Sequence, residues 1–205
     1  MASALIGVGL AAQGLGDDER AVAATAESAE LARAGGFAWI LATATQNLGY
    51  LAEERADYAQ ATAHYAEALE LFRRLGDEKQ ALGNLSGLGS VALREGRNDE
   101  AEVLLHESLE GFGTLADKEG VIWSLGDLAA VAASKGDAER AATLMGAIDT
   151  LREETGHVAP PYERHLETQR RNALASGLGE EDFAAALQIG REMTFDQTVA
   201  YALQT

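Results

Sequence analysis

The chain contains no cysteine, which excludes disulfides and thiolate metal sites and fits a reducing, cytoplasmic compartment. Proline is confined to the adjacent pair Pro160 and Pro161. Val, Ile and Thr are outnumbered by alanine and leucine, so local propensity favours helix almost throughout and gives no basis for a large sheet. No run of eighteen apolar residues occurs, and no basic segment precedes the apolar start, so neither a membrane span nor a signal peptide is expected. Positive charge is scarce: 16 Lys and Arg against 33 Asp and Glu leave a formal net charge of −17. That balance repels a phosphate backbone, and nucleic-acid binding by this segment is not expected.

Catalytic signatures are missing as well. Lysine occurs only at Lys79, Lys118 and Lys135, where its expected role is solubility, and none follows the glycine-rich loop that cradles nucleotide phosphates. The glycines between Gly7 and Gly16 have neither a preceding strand nor dinucleotide-loop spacing. His64, His106, His157 and His165 form no HExxH motif and no i, i+4 pair able to chelate a metal from one helix face. Adjacent carboxylates such as Glu53–Glu54 and Glu153–Glu154 point about 100° apart on a helix, and so read as solvated faces or caps. No serine stands in a nucleophile-elbow context. The expectation is a non-enzyme with no cofactor and no metal.

What is present is a repeat. At an offset of forty residues, Gly9 aligns with Gly49 and Gly89, and Ala21 with Ala61, Ala101 and Ala141. Leu48, Leu88 and Leu128 share a column, as do Leu31, Leu71 and Leu151, and Phe72 and Phe112. Self-similarity at this period marks a solenoid whose units bury their apolar faces only against neighbours. Apolar residues recur three and four apart within a unit, as in Ala61, Tyr65, Ala68, Leu69 and Phe72. Breaks fall near residues 16, 36, 56, 76, 96, 116 and 136; glycine, present at most of them, can end a helix in the left-handed conformation, and a following aspartate can cap the next. Each unit is therefore predicted to be a helical hairpin, with ten or eleven helices in all. The small residues Gly49, Gly89, Ala61 and Ala101 let backbones approach, and Tyr65, Leu105 and Met145 fill the interlocking core position.

The run Asn47, Leu48, Gly49, Tyr50, Leu51, Ala52, followed by Ala61, Tyr65 and Ala68, resembles the tetratricopeptide (TPR) pattern. Leu88, Gly89, Ala92, Ala101, Leu105 and Ser108 repeat it. HEAT and armadillo repeats match the forty-residue period better, but the Leu-Gly and Ala columns favour tetratricopeptides. The resemblance implies an all-α, TPR-like α-α superhelix: four hairpins over residues 1–158, the first truncated, then capping helices over 159–205. Leu144 to Gly156, Gly179 to Phe183 and Thr194 to Leu203 further resemble the end of the helical region in large bacterial regulators of the LuxR type and related nucleotide-binding (STAND-like) regulators. On that resemblance the chain is expected to be a segment of a larger regulator, ending where a DNA-binding domain would begin.

In tetratricopeptide stacks the first helix of each hairpin lines a concave groove. By register the lining residues are Thr43, Gln46, Asn47, Tyr50 and Glu53, then Ser86, Ser90 and Arg94, then Trp123, Asp127 and Ala130. Tyr50 and Trp123 are the expected anchors, because aromatic rings offer large contact area with a polar handle. The alternative for Trp123 is packing between hairpins. The lysine and asparagine set that clamps a partner's C-terminal carboxylates is missing. The expected partner is a protein, a peptide or a small-molecule inducer. The alternative from a different class is self-association, favoured if an apolar patch lies on an end hairpin or on the C-terminal helices.

Overall fold

A computed structural model describes residues 1–158 and 161–204. The fold is all-α and TPR-like. Eleven helices and no strand occur among the described residues: α1 (Ala2–Gly14), α2 (Asp18–Gly35), α3 (Ala38–Glu54), α4 (Tyr58–Leu75), α5 (Glu78–Arg94), α6 (Asn98–Thr114), α7 (Lys118–Ser134), α8 (Ala138–Thr155), α9 (Pro161–Leu178), α10 (Glu180–Arg191) and α11 (Phe195–Ala202). Pro161 opens α9, the N-terminal position that tolerates a missing amide hydrogen. Pro160, and with it the expected boundary between residues 158 and 159, lies outside the described residues.

The punctuation is more regular than the glycine pattern suggests. Positive φ recurs every twenty residues, at Gly16, Gly36, Ala56, Gly76, Gly96, Ala116, Gly136 and Gly156. Glycine fills six of these sites without strain, while Ala56 (φ 56°) and Ala116 (φ 52°) hold the same left-handed turn with a Cβ. One residue later, Asp17, Asp57, Asp77, Asp117 and Asp137 each accept a hydrogen bond from the backbone amide three residues on, at 3.0–3.3 Å. These are N-caps, satisfying amides that an isolated helix start leaves unpaired.

The chain divides into two compact units, Met1–Val91 and Ala92–Thr205. In the first, Leu51 on α3 packs with Ala12 of α1 and with Ala21 and Val22 of α2. Forty residues on, Val91 on α5 packs with Ala52, Tyr58, Ala61 and Tyr65 of the α3–α4 hairpin. A Cβ at Gly49 would approach the Tyr65 ring to 2.8 Å, and one at Gly87 to 2.9 Å, so the ring lies sandwiched between glycines of two first helices.

In the second unit, Leu105, Leu109, Phe112, Leu125 and Leu144 are fully buried. Helix α8 is buried on every side from Ala141 to Ile148, because α10 crosses it as well as α7. The α8–α10 crossing is close enough that a Cβ at Gly146 would stand 2.0 Å from the Leu187 carbonyl oxygen, and one at Gly190 1.9 Å from that of Thr143. Ion pairs flank the crossing: Arg171 with Asp149 (2.6 Å) and Glu167 (3.0 Å), Arg152 with Glu167 (2.6 Å), and Arg191 with Asp149 (2.8 Å). Helix α11 lies against α6, α7 and α8. There Arg140 of α8 donates to the carbonyl of Ala202 at 2.8 Å, and its guanidinium sits 5.2 Å from the Tyr201 ring centre. Two of the three lysines also form surface ion pairs: Lys118 with Glu154 (2.8 Å), and Lys135 with Asp99 (2.8 Å) and Glu102 (2.7 Å).

Candidate functional site

Helices α3 and α5 stand side by side in the first unit, and their shared face is polar because the sequence puts Thr43, Gln46, Asn47, Tyr50 and Glu53 on one stripe of α3. Thr43, Gln46, Asn47 and Tyr50 are half-buried. The Thr43 hydroxyl donates to the Trp39 carbonyl at 3.0 Å, which turns it back onto its own helix. Gln46 reaches toward α5, its Nε2 lying 3.6 Å from where a Cβ at Gly83 would stand.

Glu53 requires a correction. Its position on the helix reads as a solvated face, but it is half-buried and holds two hydroxyls: Ser90 Oγ donates to Oε1 at 2.7 Å and Tyr65 Oη to Oε2 at 2.9 Å. A carboxylate accepting charge-assisted bonds from both neighbouring helices is a structural tie between hairpins. Ser90 is committed to the same tie, and Ser86 is buried, so this part of the expected groove is more scaffold than contact surface.

In the second unit, Trp123 on α7 is 46% exposed while its ring meets Phe112 edge-on, centroids 6.5 Å apart at 80°. This contact packs Trp123 of α7 against Phe112 of α6 in the hairpin before it, and nearly half of the residue stays exposed. Asp127 and Ala130 are half-buried, and Arg94 is exposed at the end of α5. Arg170 of α9 donates to the Gly126 carbonyl of α7 at 3.3 Å, so α9 borders the α7 face beside Asp127.

Sequence reasoning passed over two features. Trp39 is 52% exposed at the start of α3, its indole Nε1 donating to Asp77 Oδ2 at 3.4 Å, and Phe37 beside it is also exposed. The signal was legible: a Phe-Ala-Trp run directly after a helix-ending glycine pair leaves aromatics in a first turn, where little packs over them. Among the described residues, no group of three or more His, Asp or Glu side chains is placed to hold a metal ion. No helix among them is long and apolar enough to cross a membrane.

Residues 80–146 match the tetratricopeptide repeat family model, a stretch running from α5 into α8. None of the curated proteins matches the chain.

Proposed function

We propose that this chain is a non-catalytic interaction scaffold that receives a protein or peptide partner on the first-helix faces of its hairpins. The match of residues 80–146 to a repeat whose general role is protein–protein interaction carries this reading. In the first unit the contact residues are Thr43, Gln46, Asn47 and Tyr50 on α3, with Tyr50 as anchor; the second unit offers a face of its own, with Arg94, Trp123 and Asp127 as contact residues and Trp123 as anchor. Glu53, Ser86 and Ser90 support the face of the first unit from beneath. The resemblance of Leu144–Gly156, Gly179–Phe183 and Thr194–Leu203 to bacterial LuxR-type regulators suggests the setting: a cytoplasmic signalling protein in which the scaffold senses a partner or inducer for a DNA-binding domain elsewhere.

The test begins with peptides selected from a displayed random library on the purified chain, measured against the Tyr50→Ala/Trp123→Ala variant. Affinity should fall at least tenfold, since buried aromatic anchors dominate such contacts at about 2 kcal/mol or more each. Helicity and melting should hold. A folded variant that binds normally places recognition elsewhere, and one that unfolds assigns both rings to the core.

A further inference from the structure

Within the repeat, the helix that follows a second helix packs closely upon it, as α3 does on α2 and α7 on α6. Helix α8 departs from that order. Its close crossing is made by α10, at Gly146 and Gly190, while α9, which comes first in the chain, is left against the flank of α7 and α8. From the way α9 is held there we infer that it is a releasable strap, whose docked position restricts a partner's access to the α7 face of the second unit. This rests on the partner surface proposed above, and supplies its regulation.

Little apolar surface holds α9. Among its described side chains only Leu174 is buried, whereas α7 and α8 bury nine residues each. The attachment is polar instead: Glu167 pairs with Arg152 at 2.6 Å, Arg171 with Asp149 at 2.6 Å, and Arg170 donates to the Gly126 carbonyl at 3.3 Å. Breaking a half-buried ion pair is costly mainly when it abandons a charge. Here neither α8 partner is abandoned. Asp149 keeps Arg191 of α10, at 2.8 Å, and Arg152 follows Asp149 by three residues on the same helix, within reach of it once Glu167 has left. Gly179, at φ 91°, joins α9 to α10 and offers a hinge, so α9 can leave while the α8–α10 crossing stays closed.

The seat of α9 gives the consequence. Gly126 stands in the forty-residue column of Gln46 and Ser86, inside the first-helix face and next to Asp127. An arginine seated on its carbonyl closes one flank of the face that carries Trp123 and Asp127, and release of α9 opens that flank. The docked and released forms thus differ in what a partner can reach, which is the condition for a ligand to shift the balance between them.

Hydrogen exchange of the full chain, resolved by segment, tests the strap. Amides in the middle of α9 should exchange at least about a hundredfold faster than those of α8, because a strap opens locally without global unfolding. Glu167→Arg, which faces Arg152, and Arg171→Glu, which faces Asp149, should each speed α9 further and leave α8 and α10 unchanged. Adding Arg152→Glu to Glu167→Arg should restore protection. Equal protection of α9 and α8 in the wild type, no response to either variant, or loosening that spreads into α10 would each overturn the strap. The gate is read with library-selected peptides whose binding Trp123→Ala weakens. The two release variants change the local charge in opposite directions, yet both should tighten these peptides at least about fivefold, and Arg152→Glu should return Glu167→Arg to wild-type affinity. Affinities that stay unchanged, or that move in opposite directions, overturn the gate while peptide capture at Trp123 stands. If no selected peptide depends on Trp123, the partner surface of the second unit fails and its gate with it, and exchange alone decides the strap.

Discussion

Ser90 on α5 donates a 2.7 Å hydrogen bond to Glu53 on α3, and the same carboxylate accepts from Tyr65 on α4, so one side chain binds three helices of the first unit. The Tyr65 ring lies between Gly49, toward its Cγ side, and Gly87, toward the Cζ that carries the hydroxyl. Glu53→Ala leaves two hydroxyls without their acceptor in a half-buried place, and should cost about 1–3 kcal/mol by urea denaturation. Glu53→Gln keeps an acceptor oxygen and should cost less. If both variants match wild type, the tie contributes nothing.

The two alanines at positive φ offer the opposite sign. A left-handed residue with a Cβ pays about 1–2 kcal/mol that glycine does not, while glycine loses about 0.4–1 kcal/mol of stability through the freer unfolded chain. Ala56→Gly and Ala116→Gly should therefore each stabilise by several tenths of a kcal/mol to about 1 kcal/mol, read as a raised melting temperature. Gly36→Ala, at φ 70°, should destabilise by a similar amount. A fall in melting temperature for both alanine replacements would contradict the strain argument.

The breaks, caps and hairpins were legible in the sequence because they rest on local chemistry: a left-handed residue at each break, followed at five of them by a capping aspartate one residue on. The core columns were legible because period and burial agree at Ala61, Tyr65, Phe72 and Leu105. Glu53 was misread because its face depends on where α5 lies, and a lone carboxylate carries no sign of hydroxyls supplied from residues 65 and 90. The C-terminal packing was illegible for the same reason. Gly146 and Gly190 are forty-four residues apart and outside the repeat register, so nothing in the spacing marks them as one crossing.

That crossing leads to a sharp prediction. At Gly146 and Gly190 an added methyl group meets backbone carbonyl oxygens at 2.0 and 1.9 Å, which cannot rotate away as a side chain can. Gly146→Ala or Gly190→Ala should separate α10 from α8, costing at least the upper part of the overpacking range of about 1–3 kcal/mol. Limited proteolysis should cut the variants near Gly179, between α9 and α10, well before the wild type. Gly126→Ala, where a Cβ meets nothing within 4 Å, serves as the control and should be silent. Equal protease resistance in all three would show that the helices do not cross this closely.

The last prediction concerns acid. His106 on α6 is half-buried beside α11, and burial holds its imidazole below the usual value of 6.5, the Arg140 and Lys135 charges adding to that push while Glu102 and the Ala202 carbonyl oppose it. Its Nε2 is buried without a hydrogen-bond partner. Because the folded value lies below the unfolded one, the unfolded chain takes up the proton first. The contribution is fully present above 6.5 and is lost as the pH falls through the folded value. His64 in the first unit, also lowered mainly by burial, acts in the same direction. Glu167 works in a separate window: its carboxyl is held below 4.5 against burial by Arg152 and Arg171, so its share is lost only in stronger acid. Denaturant midpoints should therefore drop between about pH 7 and about pH 5, and His106→Gln should flatten that drop, with His64→Gln flattening it further. The readout specific to His106 is α11: protease sensitivity near Thr194 should rise with acid in the wild type and not in His106→Gln. A wild-type midpoint constant across that range, or an acid response unchanged by either substitution, would remove the histidines from the account.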